Sequence, residues 1–158
     1  MDISDKMVEE YNNKAERTGY SDKMSAQTGD ILAESASTEL SGPEFFNFDV
    51  LLVSMALHHF DDPGRTLKCL GERLKKGGVC VIVDIVPEAD GSHQHFGHDE
   101  TADTVKTHGF TLEQMKGLFA DAGMAVEFGY QVVQEPLIFN KNRKLIPKTI
   151  FVAKAQRS

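Results

Sequence analysis

Positive charge is in short supply in this chain. Lys and Arg number 17 among 158 residues, against 24 Asp and Glu, which leaves a net charge of −7. Such a balance gives no electrostatic footprint for nucleic acid or for an anionic membrane, so neither is expected as a partner. Long apolar runs are missing too. The longest, residues 79–83 with Ile85 and Val86, is broken by Asp84 and is strand-sized. A membrane span needs roughly 20 apolar residues. No basic-then-apolar leader opens the sequence. Cysteine is limited to Cys69 and Cys80, which form no CxxC pair. They give no disulfide framework and read as reduced thiols, so a cytoplasmic protein is expected. There is no internal repeat and no low-complexity tract.

What remains fits one globular domain of ordinary size, with 41% hydrophobic and 26% charged residues. Ser4 suits a helix N-cap, and Met7, Val8, Tyr11 and Ala15 then share one face of a 3.6-residue period. Gly19 suits the stop. A short strand is expected at residues 24–28, followed by Gly29-Asp30 and a Ser- and Glu-rich loop over 34–47. Residues 48–54 (FDVLLVS) are a continuous apolar run, as in a parallel strand covered on both faces. Asp62 and Pro63 then open a helix, and Leu67, Leu70 and Leu74 form its buried stripe. Lys75 and Lys76 fall in its last turn, with Gly77-Gly78 as the stop. Residues 79–85 form a second buried strand.

Residues 87–110 show little periodicity and hold four of the six histidines. Loops of this length are commonly functional or disordered. Thr111 and Gln114 make a capping box, ahead of a helix with Leu112, Met115, Leu118, Phe119 and Ala122 on its apolar face and Gly123 as its stop. Two strands close the chain, one within 125–133 and one at 149–155, with the polar turn 140–144 between them. They suit an antiparallel hairpin. The strand–helix–strand unit at 48–85 argues for an α/β fold with a parallel sheet.

In open parallel sheets, ligands bind at the carboxyl ends of the strands. The first long strand is followed by Ser54-Met55-Ala56-Leu57-His58-His59-Phe60-Asp61-Asp62-Pro63, and then come Leu67, Leu70, Leu74-Lys75-Lys76-Gly77-Gly78 and the second strand up to Asp84. The stretch "FDVLLVSMALHHFDDP…LKKGGVCVIVD" resembles the class I S-adenosylmethionine-dependent methyltransferases over their fourth strand, following helix and fifth strand. Asp2-Ile3-Ser4 with Met7, Val8, Tyr11 and Asn12 resembles the end of that family's second strand and its next helix. Gly29-Asp30-Ile31 resembles the turn after its third strand, and residues 108–124 the penultimate helix of small, fungal-type members. Residues 151–155 resemble its last strand. The resemblance implies a partial Rossmann-like sheet closed by the antiparallel pair.

One departure is large. The family's glycine-rich loop, of the kind D/E-x-G-x-G, lies before its second strand, and no G-x-G occurs in this sequence. By this resemblance the chain is a single methyltransferase-like domain over residues 1–158. The first strand, its loop and most of the second strand are missing. The implied function is methyl transfer from S-adenosyl-L-methionine to a small-molecule acceptor, impaired in this chain alone. The alternative is a non-catalytic remnant or partner-binding pseudoenzyme. A homodimer is allowed for. A receiver-domain reading fails, because no paired acidic residues follow a first strand.

The resemblance assigns Asp2 to the two ribose hydroxyls, and an ionised carboxylate can accept from both. Asp30 accepts from the adenine amino group, with Ile3 and Ile31 sandwiching the ring. Ser54, Met55 and Ala56 lie against the methionine part of the cofactor. His59 is the candidate base. The acceptor pocket falls to the loops 87–110 and 132–145. His93, His95 and His98, with Asp99, could in chemistry bind zinc. They lack a helical frame, however, so no metal is expected and a lid with Phe96 is the better reading. Cys69 and Cys80 read as core residues, and 141–144 as a solvated turn.

Overall fold

The computed structural model describes residues 1–33, 40–88, 105–141 and 144–158. They fall into two compact units, Met1–Phe45 and Phe46–Ser158.

In the first unit the Ser4 hydroxyl accepts from the Met7 amide (3.4 Å) and starts helix α1, Asp5–Arg17. Gly19 ends the turn in the left-handed region, φ +74°. Ala15 is buried, but Met7 and Tyr11 on the same predicted face are 55% and 41% exposed. The expected strand at 24–28 shrinks to one parallel bridge, Asp2 with Thr28. The cause is Asn12. Its amide oxygen accepts from Ala26 N (2.7 Å) and its amide nitrogen donates to Ala26 O (3.1 Å), so these two ladder groups are already taken.

The second unit is built on a four-stranded sheet. Strand β1 (Phe48–Ser54) runs parallel to β2 (Leu74–Ile85). Helix α2 (Pro63–Arg73) joins them, with the Asp62 carboxylate accepting from Arg65 N at 2.8 Å. Helix α3 (Leu112–Asp121) carries the expected capping box between Thr111 and Gln114. Strand β3 (Val126–Val132) and the last strand, β6 (Ile150–Gln156), complete the sheet in the order β1-β2-β6-β3, both β6 pairings being antiparallel. The expected closing pair is therefore present.

Between β3 and β6 lies a feature the pattern did not disclose. Strands β4 (Leu137–Lys141) and β5 (Lys144–Lys148) form a separate antiparallel ribbon. The predicted turn sits in this ribbon and does not join β3 directly to β6. Helix α2 also stops at Arg73, before Lys75 and Lys76. Those residues are drawn into β2, where Gly77 N donates to Arg157 O and Arg157 N to Gly78 O, both at 2.9 Å.

The core lies on one face of the sheet. Cys80 and Ile82 of β2 stand opposite Ala155 and Ala153 of β6, and all four are buried. Leu67, Leu70 and Leu74, with Met115 and Phe119 of α3, are buried as well. On β1, Val50 and Leu52 are 57% and 63% exposed, so this apolar strand is not covered on both faces. It is the sheet's edge strand, and its run of aliphatic residues gave no sign of that. Among the described residues no helix is long and apolar enough to cross a membrane.

Candidate functional site

Strand β1 ends in a strained turn. Met55 has φ +52°, in the left-handed region, where a side chain other than glycine costs about 1–3 kcal/mol. Its N–H is fixed to Val83 O at 2.8 Å. The strain is thus held by a ladder bond at the carboxyl ends of two parallel strands. One 3₁₀ turn, Leu57–His59, follows, with Leu57 and His58 buried.

Below this turn lies Asp84, fully buried near the end of β2. Its Oδ1 is 2.7 Å from His58 Nδ1 and accepts from Ile85 N at 2.7 Å, while Oδ2 accepts from His58 N at 3.2 Å. A buried charge is tolerated when it is paired and hydrogen-bonded in this way. The returning segment is attached here as well. Lys106 N and Thr107 N donate to His58 O at 3.0 and 3.2 Å, and Phe110 N donates to Ile85 O at 2.9 Å. Gly109, φ +112°, makes the last contact close, since a Cβ there would fall on the Ile85 carbonyl. The His59 ring lies 4.1 Å from that of His58, tilted by 39°. Of the two adjacent histidines, the carboxylate supports His58.

The other sequence candidates belong to the first unit. The Asp2–Thr28 bridge and the Gly29 N to Asp2 O bond (3.0 Å) bring Asp2 close to the turn that holds Asp30 and Ile31. Both carboxylates are exposed. Asp2 Oδ1 accepts from Ser4 N at 2.9 Å and Asp30 Oδ1 from Leu32 N at 2.8 Å. In each, the second oxygen accepts no hydrogen bond from a described residue and is open to a further donor such as a hydroxyl or an amino group. Ile3 is 76% exposed and Ile31 half-buried, both open to an aromatic ring. A separate cavity of about 940 Å³ runs along α1 past Met7, Tyr11 and Ala26. It takes in Asp2 but not Asp30.

His93, His95, Phe96, His98 and Asp99 lie outside the described residues. Among the described residues no three metal-ligating side chains cluster. Burial pushes the Cys80 thiol up to about 12, which leaves it a core residue without nucleophilic character. Cys69 is only half-buried. Sequence reasoning missed the His58–Asp84 pair. The signal was present: Cys80, Ile82 and Asp84 alternate on one face, and a charged residue on a core face needs a partner.

The family described as "Methyltransferase domain" matches residues 1–127. An uncharacterized methyltransferase of Schizosaccharomyces pombe is 27% identical over 129 residues, covering 79% of this chain and 44% of its own. The chain thus spans less than half of that relative. The solved structure of the YcgJ protein of Bacillus subtilis is similar at a TM-score of 0.67 and 18% identity, covering 99% of this chain and 80% of its own. An O-methyltransferase family 2 protein of Planctomyces limnophilus, solved in complex with apigenin, is similar at a TM-score of 0.60 and 19% identity, covering 99% and 41%. At these identities the two structures speak for the fold.

Proposed function

Because the chain belongs to the family of methyltransferase domains, we propose that it transfers a methyl group from S-adenosyl-L-methionine to a small-molecule acceptor. The observation that carries this reading is the strained Met55 at the carboxyl end of β1. Backbone strain of this kind clusters at ligand sites, and of the three described non-glycine residues with positive φ, Asn47, Met55 and Glu127, Met55 is the one at the carboxyl end of a parallel strand, where ligands of such sheets bind. Asp2 takes the ribose hydroxyls and Asp30 the adenine amino group, with Ile3 and Ile31 on the ring faces. Ser54, Met55 and Ala56 receive the methionine part through their backbone. When bound, the cofactor supplies an already activated methyl group on a sulfonium. The protein's contribution is then mainly orientation of the two reactants. The apigenin found with the Planctomyces protein favours a small-molecule acceptor.

Calorimetry with S-adenosylmethionine tests this reading. Saturable binding, weakened by Asp30→Ala, supports it. No saturation at millimolar cofactor refutes it.

A further inference from the structure

Among the described residues, the His58 ring is held from one side only. Nδ1 meets Asp84, and no described residue hydrogen-bonds Nε2. The side chain is 7% exposed, and a buried polar atom without a partner is costly. An orphan nitrogen of this kind calls for a ligand.

The tautomer follows from the carboxylate. Asp84 is fully buried, and its two oxygens already face the His58 and Ile85 amides. An ionised carboxylate only accepts, so Nδ1 carries the proton and Nε2 the lone pair. The arrangement also tolerates a change of protonation. When Nε2 gains a proton, the Nδ1–H···Asp84 bond remains and acquires charge attraction. The other titratable groups nearby do not compete for this bond. The Lys106 ammonium is turned to Asp61 at 3.0 Å, the Tyr130 hydroxyl donates to Phe110 O at 3.0 Å, and the His59 ring lies beside that of His58, tilted by 39°.

We propose that His58 Nε2 is the proton acceptor for a hydroxyl group of the methyl acceptor, with Asp84 as its positioning residue. This rests on the methyltransferase reading and moves the base from His59, where the sequence placed it, to its neighbour. The acceptor's O–H bond breaks and its proton passes to Nε2. The oxygen electron pair forms the new O–C bond to the methyl carbon. The C–S bond of the sulfonium donor breaks with its electron pair remaining on sulfur. The products are a methyl ether, a neutral thioether and an imidazolium facing Asp84.

The test uses the full chain labelled with ¹⁵N-histidine. Long-range ¹H–¹⁵N spectra report each ring's tautomer, and His58→Gln assigns the signal. The neutral ring should be the Nδ1–H tautomer, and Asp84→Asn should lose that preference while far-UV circular dichroism stays native. If Asp84→Asn does not fold, Asp84→Glu takes its place. With S-adenosylhomocysteine present, adding catechol or apigenin should move the Nε2 resonance towards its protonated position in the parent chain and not in the variant. A purely structural pair would leave Nε2 unmoved. An Nε2–H tautomer, or an Nε2 signal that neither phenol moves, overturns the proposal. Calorimetry with S-adenosylhomocysteine keeps the two failures apart. Binding without the His58 response removes the base and leaves the methyltransferase, and no binding removes the methyltransferase reading and the base with it.

Discussion

Replacing Asp84 with alanine removes an acceptor from three donors at once: His58 N, His58 Nδ1 and Ile85 N. Each hydrogen bond to a charged group is worth about 1.5–3 kcal/mol, a gross loss of about 4.5–9 kcal/mol. Part is offset, because the variant no longer buries a carboxylate, a penalty of several kcal/mol. Truncating one partner of a buried pair costs about 3–5 kcal/mol in practice, and that is the expected net loss for Asp84→Ala. It is a large fraction of the roughly 5–15 kcal/mol that holds a domain of this size together. Asp84→Asn keeps an oxygen acceptor of nearly the same shape and should cost less. Urea unfolding at pH 7, followed by far-UV circular dichroism with the slope held common, gives both numbers. A loss below about 1 kcal/mol for alanine would refute the reasoning, since it would mean that the donors are satisfied without Asp84.

Leu70→Ala empties a buried position on α2 and should cost about 2–5 kcal/mol by denaturation, while a loss under about 0.5 kcal/mol would show the face misassigned. Gly109→Ala places a Cβ on the Ile85 carbonyl at φ +112° and should lower the melting temperature by several degrees more than Gly117→Ala, whose Cβ would meet open space. Cys80 is held protonated to about 12 from an ordinary 9.0, so a thiol reagent at pH 8 should label Cys69 first and Cys80 only on unfolding. The sign of the linked pH effect follows. Between about 9 and about 12 the unfolded thiol loses its proton and the folded one keeps it, so this group lowers stability as pH rises through 9 and contributes nothing below. A smaller fall in stability from pH 8 to 10 in Cys80→Ala than in the parent chain is the check, since Tyr130, also raised by burial, contributes to the fall in both.

Local chemistry made much of the second unit readable. Asp62-Pro63 and Thr111…Gln114 are cap signals that act within four residues, and both helices begin where they should. The parallel pairing of β1 with β2 followed from two apolar runs with a helix between them. The errors arose where a distant group decided the outcome. Lys75 and Lys76 follow a helical pattern, but the backbone of Gly77 and Gly78 is bonded to Arg157 at the other end of the sequence. Residues 24–28 have strand-like content, but the Asn12 side chain occupies the Ala26 ladder groups. Coverage of β1 was equally out of reach. Whether Val50 and Leu52 are enclosed depends on which strand forms the sheet edge, not on their own hydrophobicity.

The candidate site divides along the same line. Ser54–His59 could be placed at a strand end because the strand itself was legible. The choice between two adjacent histidines could not be made, since 3.6-residue and two-residue periods say nothing about which imidazole turns inward. What decides it lies 26 residues away, where Asp84 takes a core position on β2 beside His58. A carboxylate on the buried face of an apolar strand costs stability unless donors surround it, and here the donors are the turn that follows β1 and the residue that ends β2. These bonds position His58, whose carbonyl, with that of Ile85, in turn holds the segment at 106–110. If Asp84 served stability alone, a well-packed apolar residue would serve as well or better, as buried ion pairs elsewhere have shown. Asp84→Leu separates the two roles: a fold that survives it while the His58 tautomer is lost would mean that the carboxylate is kept for the imidazole it orients.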